Sequence, residues 1–432
     1  MRSTRPRTPE RCPLKVHRVS EQTGAAEERH ASWLELFFDL TVVAAAAQIS
    51  HRLHGAATIG QVAICAAMFY AIWSVWTATS VYANVAGEHT RRRAVLRTML
   101  GIGVMAASVP GVWPGLLPDH GDEPHGGSRT IAFTVAFLVC RGIAAGSASR
   151  DGKVIGFWPA TQGVMAAPWV VALFVPAETA YWLWAGGIAA DLMFSVMGAR
   201  NPKAMEQRAT SIRRQQEQEQ FRDRLLRRLW RGRHEEAPAK PPLITTAQVE
   251  RGHLDERLGL FVIIVLGEAL AQVVAANTEI DWDWRVGLAS LAAFWLLIEL
   301  WQLTTLYGFT PAPRSTTPLE PWAALLAHLV VTGAIVAMAA GLGGLIPEAG
   351  EHLETKERWY LFGGLALYFV ISGVAGVIGR VRLRWFLGWQ IPCLLVSVLV
   401  AALGHSLPAY GLAVVAAAVP TWFYSYNRLV QG

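Results

Sequence analysis

Charge is scarce in this 432-residue chain. Asp, Glu, Lys and Arg make up 16% of it against 53% hydrophobic residues, and the charges gather in short runs between long apolar stretches. That pattern excludes a string of soluble domains and points to a polytopic membrane protein. Cysteine is scarce too: Cys12, Cys65, Cys140 and Cys393 are scattered without CxxC spacing, which argues against a disulfide framework and a zinc site. The basic start, MRSTRPRTPERCPLKVHRVS, lacks an apolar h-region, so it reads as a disordered cytoplasmic arm rather than a secretory signal. P-loop, dinucleotide fingerprint, nucleophile elbow and HExxH are all missing, so no cofactor, no metal and no particular enzyme activity is expected. The net charge of +6 does not call for nucleic acid, because cytoplasmic loops of membrane proteins carry excess Lys and Arg anyway.

What is present is length and apolarity. Twelve spans are expected, at about 33–53, 57–86, 95–117, 129–149, 155–175, 179–200, 253–277, 285–307, 320–345, 357–379, 384–404 and 408–427. Basic connections, such as Arg91-Arg92-Arg93, Arg150 to Lys153 and Arg380 to Arg384, alternate with acidic or poorly basic ones, such as Asp119 to Glu123 and Glu348 to Glu357. By the positive-inside rule, both termini are then cytoplasmic. The expected organisation is a basic arm over 1–32, a six-helix half over 33–200, a basic linker over 201–252 and a second six-helix half over 253–432. The linker suits a charged amphipathic helix, with Phe221, Leu225, Leu229 and Trp230 on one side and many Arg on the other. It would lie against anionic lipid headgroups. A weak echo joins the halves as parallel repeats: Trp76 and Tyr82 match Trp301 and Tyr307, and Gln48 matches Gln272.

Few ionisable groups lie inside the spans, and each is expensive there. Glu35 and Asp39 fall one turn apart on one face of span one. In span seven, HLDERLGLFVIIVLGEALAQVVAAN, Glu268 would sit about 22 Å along the helix from His253, near the midplane of a hydrocarbon layer about 30 Å thick. Arg257 and Gln272 project on nearly the same side as Glu268, giving a polar row. Asp39, Glu268, Glu35, Gln48 and Gln272 are therefore the expected ion or substrate pathway. Glu256, Arg257, Arg141, Asp191 and Glu299 are the expected charge network, in which Arg141 neutralises one or two carboxylates. His328 is a further buried candidate, and the His253–Glu256 spacing is only a fragment of a metal-ligand pattern.

ELFFDLTVVAAAAQISH in span one, Tyr82-Ala83-Asn84, and HLDERLGLFVIIVLGEALAQV in span seven resemble the bacterial low temperature requirement protein A family. Its hallmark elements stand here as Glu35 to Val43 and Glu256 to Glu268. Thr41 and Val42 depart from the usual aliphatic-Phe, and Ala269 stands where Ser is common. The resemblance implies a multi-pass bacterial inner-membrane protein linked by name to growth in the cold, without a settled activity. It points to Glu35, Phe38, Asp39, Glu256, Arg257, Gly267 and Glu268. A fainter similarity, through Phe38-Asp39 alone, is to an organellar potassium channel family of two six-helix repeats. The leading expectation is a proton- or cation-coupled transporter or permeation pathway. The rival is a non-transporting protein for stress adaptation or assembly, with its charges paired structurally. The bilayer is the expected partner, and a homo-oligomer is left open.

Overall fold

The apolar runs fold as helices whose ends the sequence marks. In the computed structural model, α1 (Trp33–His54) begins at a capping box: the Ser32 hydroxyl accepts from the Glu35 N–H and the Glu35 carboxylate accepts from the Ser32 N–H. α2 (Ile59–Ala86) begins the same way at Thr58 and Gln61. It ends at Gly87, whose φ of 62° suits only a residue without a Cβ. There follow α3 (Arg92–Ser108), α4 (His125–Arg150), the short α5 (Ala167–Val171), α6 (Ala177–Arg200), α7 (Arg251–Ala276), α8 (Trp284–Tyr307) and α9 (Pro321–Leu345). The last three are α10 (Thr355–Ile378), α11 (Leu383–Ser406) and α12 (Ala409–Gln431). The structure describes residues 32–56, 58–87, 90–112, 125–150, 153–154, 166–200, 245–246, 249–278, 280–309 and 319–431, with a few isolated positions between 207 and 222.

Ten of these helices are long and apolar enough to cross a membrane, and Ala409–Phe423 is a shorter apolar helix. The chain is thus an all-helical polytopic membrane protein, apart from a two-residue parallel pairing of Lys153–Val154 with Thr245–Thr246. Most of the fifth expected span, all of the N-terminal arm before Ser32 and most of the 201–252 linker, including Leu225, Leu229 and Trp230 of its expected amphipathic helix, lie outside the described residues.

α2 and α9 form the interior. Trp73 and Trp76 of α2 and His328 of α9 are fully buried, and α1 and α7 pack against both. The halves are not separate bundles: α1 touches α7 and α9, and Ser50 donates to the Val336 carbonyl of α9 at 3.3 Å. α9 meets α10 backbone to backbone, since a Cβ on Gly341 would lie 2.7 Å from the Leu361 nitrogen and one on Gly364 2.8 Å from the Ala334 oxygen.

α10 and α11 each include a wider π turn, at Trp359–Gly363 and Phe386–Gln390. In α11 the cause is legible. Pro392 has no N–H to offer the Gly388 carbonyl, which accepts instead from the Trp422 indole at 3.0 Å. The Gln390 side chain donates to the Phe369 carbonyl of α10.

The paired residues of the sequence echo occupy unlike places. Trp76 is 0% exposed at the centre, whereas Trp301 is 47% exposed on the outside of α8.

Candidate functional site

α1 and α7 each carry polar residues one turn apart, Glu35 and Asp39 on one, His253 and Arg257 on the other, and the fold sets these pairs side by side. Arg257 Nη2 lies 2.6 Å from Asp39 Oδ1. Glu35 Oε1 lies 3.8 Å from both Arg257 Nη1 and His253 Nε2. The shallower residues meet each other and the deeper ones meet each other, so α1 and α7 run in the same direction here.

α2 runs the opposite way and forms the third wall, using every fourth residue. Trp76 donates its indole N–H to Asp39 Oδ1 at 2.6 Å, Ser80 accepts from Arg257 Nη2 at 3.2 Å, and Asn84 lies 3.1 Å from His253 Nδ1. Asn84 also holds the residue before α7, donating to the Glu250 carbonyl at 2.9 Å and accepting from its N–H at 2.8 Å.

The four charged or titratable residues are sealed from solvent: Asp39 is 0%, Arg257 1%, His253 2% and Glu35 5% exposed. Below them, the indole of Trp76 stacks on His328 with ring centroids 5.1 Å apart, and Trp73 donates to His328 Nδ1 at 2.9 Å. Above them, a cavity of about 580 Å³ is lined by Ser32, Trp33, Glu35, Gly87, Thr90 and Arg92, among others. The capping box gives Glu35 two duties. Oε2 accepts from the Ser32 N–H at 2.7 Å, leaving Oε1 to face α7.

The network is not saturated. Asp39 Oδ2, Arg257 Nε and Nη1, and His253 Nε2 are buried without a hydrogen bond among the described residues, and each such group carries a desolvation cost. The second buried pair differs. Arg141 grips Asp191 with both ends of its fork, Nη1 to Oδ2 at 2.6 Å and Nη2 to Oδ1 at 2.7 Å, and Tyr70 donates to Oδ2 at 3.3 Å. Arg141 thus forms a buried ion pair with Asp191.

Glu299 pairs with neither arginine. It accepts from the Thr421 hydroxyl of α12 at 3.3 Å. Glu268 is half-buried and accepts from Gln272 at 2.9 Å, apart from the Asp39 cluster. Gly267 is exposed, and a Cβ there would meet nothing within 4 Å, so it mediates no close helix contact among the described residues. Gln48 is exposed on α1, and Glu256 is partly buried beside Arg257 in sequence.

Trp76, Ser80, Asn84 and His253 complete the site, though the expected pathway and charge network do not include them. The available signal was polar residues four apart on an apolar helix.

The opposite end of α1 carries another polar contact. His54 Nδ1 lies 3.2 Å from Glu357 Oε1. Glu348, in the turn after α9, has its pKa raised by burial and by the neighbouring Glu354 and Glu351 carboxylates. Among the described residues no group of three or more His, Cys, Asp or Glu is arranged to hold a metal ion.

Neither a curated protein nor a solved structure matches the chain. The family model described as Bacterial low temperature requirement A protein (LtrA) does, over residues 30–423. That stretch reaches from just before the α1 cap into α12 and contains the whole α1–α2–α7 cluster. The protein belongs to the bacterial low temperature requirement A family.

Proposed function

We propose that the protein is a proton-coupled transporter or cation pathway in which the α1–α7 cluster is the site that takes up and releases charge. One observation carries this reading. The cluster holds two carboxylates, Glu35 and Asp39, against one guanidinium, Arg257. It reaches neutrality only with one further positive charge, either a proton on His253 or on a carboxylate, or a bound cation. Among the described residues, several of its buried atoms have no hydrogen bond to hold them in one arrangement, and low dielectric makes such a deficit costly. A cavity beside Glu35 provides an approach. Glu268, about 16 Å farther along α7 from Arg257, is the mid-membrane carboxylate of the same pathway, with Gln272 as its hydrogen-bond partner.

The topology that goes with this reading has twelve spans, arranged as two parallel six-helix repeats in the bacterial inner membrane, with both termini cytoplasmic. Its support is the alternation of basic and non-basic connections and the common direction of α1 and α7. The 201–252 linker would rest on anionic headgroups.

The direct test is ion flux in proteoliposomes, read with entrapped pH- and cation-sensitive dyes. Wild type should conduct, and Asp39→Asn and Glu268→Gln should each lose most of the flux. A silent wild type, or full flux in both variants, would refute the proposal.

The 2.6 Å contact between Asp39 and Arg257 favours a second reading. In it the cluster is a structural clamp in a non-transporting protein for cold or stress adaptation. Wild type would then show no flux, and Asp39→Asn would lower the folded yield.

A further inference from the structure

We infer that the groove between the start of α3 and the later turns of α4 is a binding site for one anionic glycerophospholipid of the cytoplasmic leaflet. The leaflet, though not the site, rests on the topology proposed above.

The groove is a cavity of about 630 Å³ whose α3 wall carries Arg91, Arg92, Arg93 and Arg97. Its α4 wall is made of Val139, Gly142, Ile143, Gly146 and Ser147. No carboxylate lines it among the described residues. Arg93 and Arg97 lie one turn apart, as do Gly142 and Gly146, so charge and space face each other across the helix pair. The two glycines create the space: a Cβ built on either meets nothing within 4 Å.

The groove is also amphipathic. Val139 belongs to its lining and is exposed, and Leu96, Leu100 and Val135 continue an exposed apolar surface along α3 and α4. Guanidinium forks match a phosphate diester geometrically and stay charged, while the apolar strip suits an acyl chain running along the helices. A free phosphate would use only the first half of this arrangement.

Arg92 lines both this groove and the cavity beside Glu35. A headgroup held here would therefore sit at the edge of the approach to the α1–α7 cluster.

A merely basic surface would also attract anionic lipid, at about one increment per arginine. Filling the groove without changing its charge separates the two cases. The experiment is native mass spectrometry of the full-length protein from detergent, with phosphatidylglycerol, phosphatidylcholine or inorganic phosphate added. One phosphatidylglycerol should be retained in preference to phosphatidylcholine, and inorganic phosphate should not displace it. The triple substitution Arg92→Gln, Arg93→Gln, Arg97→Gln should weaken retention about a hundredfold. Gly146→Leu should weaken it comparably with every arginine in place, and Gly142→Leu is an independent second block should the first fail to fold. Unchanged retention in a folded groove-filling variant would overturn the site, as would equal binding of phosphatidylcholine or displacement by inorganic phosphate.

Discussion

Replacing Arg141 by Leu is expected to cost about 3–5 kcal/mol of stability, the range for removing one partner of a buried ion pair. Both members are almost fully buried, and Arg141 reaches Asp191 through two short hydrogen bonds. Without Arg141, the Asp191 carboxylate keeps, among the described residues, the Tyr70 hydroxyl. Asp191→Leu should destabilise in the same direction, by removing the carboxylate that both ends of the Arg141 fork grip. The double replacement Arg141→Leu with Asp191→Leu should recover most of the loss, because an apolar pair of similar volume carries no desolvation cost. Thermal unfolding of the four proteins in detergent measures this coupling. If the double variant melts where the additive sum places it, the two residues do not act as a unit.

The second large effect is a contrast at the α1–α7 cluster. Arg257→Gln should be severe for folding, again by about 3–5 kcal/mol, because it leaves Glu35 and Asp39 together without their cation. Asp39→Asn should be mild for folding and severe for function. An amide oxygen still accepts from the Trp76 indole and from Arg257, the two donors to Asp39 Oδ1. Its removal of one negative charge leaves Glu35 balanced by Arg257 with no further proton required. Folded yield and melting temperature, measured beside proteoliposome flux, separate the two variants. Equal loss of stability in both would make the cluster a plain structural clamp.

Much of this was legible in the sequence. Apolar run length and the charges at their ends gave the helices, because backbone groups in a bilayer must be satisfied within the helix. Glu35 and Asp39 could be placed on one face by spacing alone, and a pairing of Arg141 with a carboxylate such as Asp191 could be named.

The third wall of the cluster was harder to read. Trp76 looked like half of a repeat, and Asn84 like part of a family motif. Their partners lie on α1 and α7, and helix periodicity says nothing about which helices become neighbours. Helical spacing also put Arg257 and Glu268 on nearly the same side of α7, yet Arg257 is buried and Glu268 half-exposed. Their surroundings are set by what α2 and α9 cover, not by angle around the axis. Gln48, expected on the same pathway as Asp39, lies nine residues farther along α1, on the opposite side of the helix, and is exposed.

On the proton-coupled reading proposed above, Glu35 and Asp39, beside Arg257 and His253, take up one further proton. The most direct measurement is the acid-induced infrared difference spectrum of the purified protein, which reads carboxyl and imidazole protonation alike. A band should be gained on acidification that disappears in Asp39→Asn, shifts in His253→Asn and persists in Glu299→Gln. A wild-type spectrum without that band, or a band that survives Asp39→Asn and His253→Asn unchanged, would contradict it.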